Sequence, residues 1–189
     1  MSLFTIDGNM CSGKTSILKY MNSKYGLYID INEYDDVMLS KINKDNAFRI
    51  FTRMWLDKGN VKIKNNCYGV ENSPYFTRQT FIKDAHAQKF LTDDDYEMIM
   101  EMHNITADQW SKNIYIYIKT NPAMCFDNRI YDKKYENIEY LYFSANDVRL
   151  DVSYQNAVLS GKRIHIINAV GKPINVIGDE IWKIINSYD

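Results

Sequence analysis

The chain has 189 residues, 46% hydrophobic and 25% charged, with 3 prolines and 8 glycines, which fits a folded globular protein and excludes collagen-like, low-complexity and disordered classes. Lysine and arginine total 23 against 24 acidic residues, so no overall field draws the chain to nucleic acid or an anionic membrane surface. Cys11, Cys67 and Cys125 lie far apart with no CxxC pair, a usage that favours reduced thiols over a disulfide framework or a zinc site.

No apolar run approaches the ~20 residues of a membrane span, and no basic leader precedes the first apolar run. The expectation is one cytoplasmic domain over residues 1–189. Short β-rich runs recur at Leu3–Ile6, Leu27–Ile31, Asn66–Val70, Ile114–Ile118 and Ile164–Ile167. Each is followed by a polar or helical segment, a pattern that predicts a parallel sheet covered on both faces. Between the third and fourth runs, Thr92 precedes three aspartates, Asp93 to Asp95. A helix start explains them, with Thr92 as N-cap and the acids favoured by the helix dipole; a metal cluster is the alternative. Asn121-Pro122 predicts another helix start. Ile174–Ile185 predicts a last helix that buries Val176, Ile177, Ile181, Trp182, Ile184 and Ile185 on one broad face.

After the first run comes Gly8-Asn9-Met10-Cys11-Ser12-Gly13-Lys14-Thr15-Ser16. It matches the GxxxxGK[ST] phosphate loop at every fixed position and sits between a strand and a helix, as that motif requires. Glycines allow close backbone approach, and successive amides at a helix N-terminus make a concavity for a polyphosphate. Lys14 is placed to reach the β and γ oxygens, and the Thr15 hydroxyl to hold Mg²⁺. The expected ligand is a nucleoside triphosphate.

Two acids are placed to leave strands at the carboxyl edge of the sheet, where parallel α/β folds bind ligands. Glu33, in Asp30-Ile31-Asn32-Glu33, can take a proton from an attacking hydroxyl or can be a surface charge. Glu71 can help hold the metal. Arg129, Lys133 and Lys134 form a cationic segment after the fourth strand, either a solvated face or a lid over about 128–140 that closes on transferring phosphates.

Together these motifs resemble the deoxynucleoside kinase family, whose phosphate loop reads like EGNIGSGKST. The Glu-Pro-Val general-base motif is matched by Glu33 in Asn32-Glu33-Tyr34. The Glu-Arg-Ser motif with its following Arg and Phe is echoed by Glu71-Asn72-Ser73, Arg78 and Phe81, and the lid Arg-Ile by Arg129-Ile130. The resemblance implies a P-loop three-layer α/β sandwich with a five-stranded parallel sheet and a helical lid. The implied reaction is transfer of the γ-phosphoryl group of ATP, with Mg²⁺, to the 5′-hydroxyl of a deoxynucleoside. Glu33 is then the base, and Lys14, Arg129 and Lys133 stabilise the phosphates. Phe81 stacks on the base, Phe48 lines the same pocket, and Glu71 and Arg78 belong to the acceptor side.

The chain departs from that family at four places, one of them the Tyr that holds the sugar 3′-hydroxyl, which has no clear counterpart. Arg49 stands where a base-reading Gln is usual, and guanidinium only donates where an amide also accepts. Asn72 replaces the Arg that pairs with the catalytic acid, leaving Arg78, Arg49 or Arg53 to substitute. The lid is also poorer in Arg. Two alternatives stay open. Arg49 and Arg53, a turn apart on one helix face, suit the phosphate of a thymidylate-like monophosphate acceptor; Asn72 suits a nucleotide-binding homologue without kinase activity. A deoxynucleoside or deoxynucleotide is the expected partner, with neither nucleic acid nor membrane, and a homodimer is left open.

Overall fold

The structure is a computed structural model and describes residues 2–31, 42–59, 67–105, 110, 112–131, 138–159 and 161–188. Five strands, β1 (Ser2–Gly8), β2 (Tyr28–Asp30), β3 (Cys67–Glu71), β4 (Ile114–Lys119) and β5 (Ile164–Asn168), form one parallel sheet in the order β2-β3-β1-β4-β5. Every run predicted from the sequence is a strand. The chain leaves β1 for the β2 side and later crosses to β4, so the direction of winding reverses at β1. In open parallel sheets that reversal opens the ligand crevice at the carboxyl ends of the strands.

Helices α1 (Lys14–Tyr25) and α8 (Ile174–Asn186) cover one face of the sheet. The other face is covered by α2 (Ala47–Gly59), α3 (Pro74–Thr77), α4 (Lys83–Ala87), α5 (Asp93–Ile105), α6 (Pro122–Asn128) and α7 (Tyr140–Leu159). The alternation along β4 shows why. Ile114, Ile116 and Ile118 pack with Ile17, Leu18 and Ile181 under α1 and α8, while Tyr115 and Tyr117 pack with Phe76 and Tyr154 on the other side. With apolar side chains on both faces, the strand is held only between two helical layers. Ile116 is fully buried, so truncating it to Ala costs ~2–5 kcal/mol.

The helix ends follow their local chemistry. The Thr92 hydroxyl accepts the Asp95 amide at 3.1 Å and the Asp95 carboxylate accepts the Thr92 amide at 3.3 Å, a reciprocal cap that starts α5. This supports the helix-start reading of the acidic triplet. In α8 the buried stripe is Ile177, Gly178, Ile181 and Ile185, and Trp182 stacks on Tyr25 at 4.5 Å. Val176 is a correction to the sequence reading: it lies outside that stripe, 46% exposed. Among the described residues no helix is long and apolar enough to cross a membrane.

Candidate active site

The loop after β1 turns onto α1 at the winding reversal, and its two outer glycines are needed for different reasons. Gly8 is in register with Ile118 of β4, and a Cβ there would stand 2.8 Å from the Ile118 carbonyl oxygen and 3.1 Å from Ser12 Oγ. Gly13 has open space around it but takes a left-handed φ of 87° as the residue that caps α1. Cys11 between them is also left-handed, with φ 56°. The loop therefore delivers Lys14, Thr15 and Ser16 in the first turn of α1, where the amides lack helical partners and the dipole is positive.

Lys14 is almost fully buried and donates to the carbonyls of Gly8 at 3.1 Å and Asn9 at 2.9 Å. Its ammonium lies across the loop. The Thr15 hydroxyl donates to Glu71, at 2.9 and 3.1 Å from the two carboxylate oxygens. The pairing foreseen for a metal is thus brought together from α1 and the end of β3. A hydroxyl beside a carboxylate is a hard oxygen donor set, which fits Mg²⁺ rather than a thiophilic metal.

Beneath the loop, Asp7 is fully buried and accepts the Ser73 amide at 2.6 Å, the Ser73 hydroxyl at 2.7 Å and the Tyr154 hydroxyl. Ser73 Oγ in turn accepts the Phe76 amide at 2.9 Å and so begins α3. One carboxylate thereby ties the end of β1 to the residues after β3 and to α7. Burial and the neighbouring Asp7 carboxylate push the Tyr154 hydroxyl well above its usual range. The sequence reading missed these contacts, and the only local hint was an acid directly before the loop.

Of the residues expected on the acceptor side, Phe48 and Phe81 lie in the same apolar cluster, with Phe81 edge-to-face on Phe76 at 5.6 Å. A π-helical turn over Arg78–Ile82 between α3 and α4 sets the direction of Phe81, a feature often met at functional sites. Arg49 is exposed on α2, and Arg53 is exposed one turn on. Arg78 turns toward α5, donating to Asn104 Oδ1 at 3.2 Å and lying 6.0 Å from the Tyr75 ring. Its contacts do not join it to the loop. Asn72 takes a left-handed φ of 59°, its amide donating to the Ile6 carbonyl at 3.1 Å. Asn tolerates that conformation better than most side chains, which gives the departure at this position a local backbone reason. Glu33 lies outside the described residues.

Where the expected lid begins, the Asn128 side-chain amide donates to the Cys11 carbonyl at 3.3 Å, so the end of α6 touches the loop. Arg129 is folded back onto α6, donating to the Phe126 carbonyl at 2.5 Å with its guanidinium 3.3 Å from the Phe126 ring centre. To meet a phosphate it must leave that ring. Lys133 lies outside the described residues.

The comparisons address the family and the fold. A family model described as deoxynucleoside kinase matches residues 4–177. The chain belongs to the deoxynucleoside kinase family. It is therefore a phosphotransferase of the nucleoside kinase class. It is also 22% identical over 195 residues to protein 029R of Invertebrate iridescent virus 3, whose name carries a provisional kinase designation, covering 97% of this chain and 96% of that protein. The fold is that of a deoxyadenosine kinase from M. mycoides solved with dCMP and dCDP. The TM-score is 0.77 at 16% identity, covering 98% of this chain and 99% of that one. A structure of the same enzyme with dATP gives a TM-score of 0.74 at 16% identity, covering 97% and 98%.

Proposed function

We propose that this kinase transfers the γ-phosphoryl group of ATP to the 5′-hydroxyl of a deoxynucleoside. The observation that carries this reading is the loop geometry: Lys14 lies across the loop and the Thr15–Glu71 pair stands beside it, inside a chain of this family. Lys14 and the first amides of α1 hold the transferring phosphates in place, which fixes the in-line geometry such a transfer needs. Thr15 and Glu71 hold Mg²⁺, whose charge offsets that of the β and γ oxygens when it is bound. Glu33 takes the proton from the acceptor hydroxyl. Arg129, swung from Phe126, and Lys133 bring positive charge to the γ-phosphoryl group and help exclude water.

Phe48 and Phe81 supply the apolar wall against which a base stacks. The M. mycoides enzyme has been solved with dATP and with dCTP, so deoxyadenosine and deoxycytidine are the first acceptors to test. A monophosphate acceptor is the second reading, favoured by the exposure of Arg49 and Arg53 on one helix. A panel of four deoxynucleosides and their monophosphates with γ-labelled ATP separates the two. Label transfer to a nucleoside supports the proposal, whereas transfer only to monophosphates overturns it. ATP binding without acceptor-dependent turnover would instead identify an inactive homologue.

A further inference from the structure

We propose that Asn146, on the helix after the lid, is a positioning residue that holds the phosphate loop in shape through Asn9. The inference rests on the reading of this chain as an ATP-dependent kinase. Asn9 and Asn146 are each 1% exposed, and they meet although 137 positions separate them. Asn9 Oδ1 accepts the Met10 amide at 3.0 Å, and Asn9 Nδ2 donates to the Phe143 carbonyl at 2.8 Å. These two bonds decide which end of the Asn9 amide is oxygen, since a carbonyl can only accept and a backbone N–H can only donate. Asn146 must then present its NH₂ group, and it donates to Asn9 Oδ1 at 3.0 Å.

The consequence reaches the phosphates. The Asn9 carbonyl accepts from Lys14 Nζ at 2.9 Å and from the Ser12 amide at 3.3 Å, so the residue that Asn146 clamps also sets where Lys14 rests and how the loop turns. Phe143 and Asn146 sit within one turn of α7, whose Tyr154 also donates to Asp7 just before the loop. Helix α7 is thereby bonded to the loop and to the strand end that precedes it. Packing alone does not account for an amide here: among the described residues Asn146 Oδ1 is buried without a partner, a cost an apolar side chain of similar volume would not carry.

The test combines ATP calorimetry with steady-state kinetics on wild type, Asn146→Ala, Asn9→Ala and the double variant, with Asn146→Asp as the same-shape control. Asn146→Ala is expected to lower kcat/KM for ATP about tenfold, the worth of one buried hydrogen bond, with the acceptor KM unchanged. In the Asn9→Ala background the same change should cost little more. Asn146→Asp, which sets a carboxylate oxygen against Asn9 Oδ1, should lose at least as much. Equal losses in both backgrounds, a fall in melting temperature with ATP binding and kinetics unmoved, or failure of both Asn146 variants to fold would overturn the inference. If wild type binds ATP but transfers phosphate to no acceptor, the kinase reading fails while calorimetry on the same variants still tests the clamp.

Discussion

The Thr15 hydroxyl donates to the Glu71 carboxylate, 2.9 and 3.1 Å from its two oxygens, and so joins the first turn of α1 to the end of β3. Both groups are hard oxygen donors of the kind Mg²⁺ takes. Glu71→Gln keeps the shape but removes the charge, and should raise the Mg²⁺ concentration for half-maximal turnover ~10–100-fold, the usual range for disturbing a metal's immediate surroundings. Thr15→Ser should keep near-normal dependence and Thr15→Val should not. A Mg²⁺ titration indifferent to Glu71→Gln would place the metal elsewhere.

The two loop glycines predict opposite responses to asparagine. Gly13→Ala meets no atom but must hold a left-handed backbone, at ~1–2 kcal/mol, and Gly13→Asn should recover part of that because Asn tolerates the conformation. Gly8→Ala drives a Cβ to 2.8 Å from the Ile118 carbonyl, an overpacking cost of ~1–3 kcal/mol, and Gly8→Asn should be worse. Urea unfolding of the four variants checks the ordering. Rescue of Gly8 by Asn would mean the clash is relieved by a small shift of the loop.

Lys14 lies across the loop between two carbonyls, so its removal should leave the fold intact and the transfer step without its charge. Lys14→Ala is expected to cost ~3–4 kcal/mol in the barrier, roughly 10²–10³-fold in kcat. Near-normal turnover by a folded Lys14→Ala protein would withdraw the loop from the mechanism.

How far the sequence revealed this site depends on the range of the interactions. The five strands were legible because each is a short apolar run between polar segments, and the loop because its glycine spacing is local. The direction of Arg78 was not legible: the resemblance gave it to the acceptor side, and the contacts that orient it, with Tyr75 and Asn104, come from a π-helical turn and from α5, which no local pattern announces. The resting place of Arg129 on Phe126 was hidden for a different reason, since a cation three residues from an aromatic ring has water as a competing partner and only the end of α6 decides between them. The contacts of Asp7 with Tyr154 and of Asn9 with Asn146 span most of the chain, and no local pattern announces them.

Asp147, next to the clamp on α7, predicts a pH signature. Its carboxyl is pushed upward by burial first and by Asp151 second, against the pull of Lys119, and among the described residues its Oδ1 is buried without a partner. A carboxyl whose pKa is raised on folding favours the fold below its unfolded value of about 3.9, and that contribution is lost as pH rises through the raised one. Asp147→Asn should therefore melt higher than wild type at neutral pH, with the difference shrinking toward pH 4. A variant less stable at neutral pH would show that Asp147 is held by a favourable charge contact instead.

On α2, Phe48 faces the apolar cluster while Arg49 and Arg53 face outward, and variants there test what the acceptor is. If either arginine grips an acceptor phosphate, Arg→Met there should weaken a deoxynucleoside monophosphate by ~1.5–3 kcal/mol, the worth of a charge-assisted contact, and leave the nucleoside nearly unchanged. If the acceptor is a nucleoside and Arg49 reads the base, Arg49→Met should instead alter the preference among the four bases, because guanidinium offers only donors to a base edge. Phe81→Ala serves as the control. It removes an aromatic wall shared by both ligands, so it should weaken both by ~1–3 kcal/mol if stacking here matches that on other aromatic platforms. Calorimetry of the two ligand classes on these variants gives one of three patterns. Loss confined to the monophosphate assigns the helix to a phosphate, a change of base preference assigns it to the nucleoside, and no change from either arginine removes α2's outer face from the site altogether.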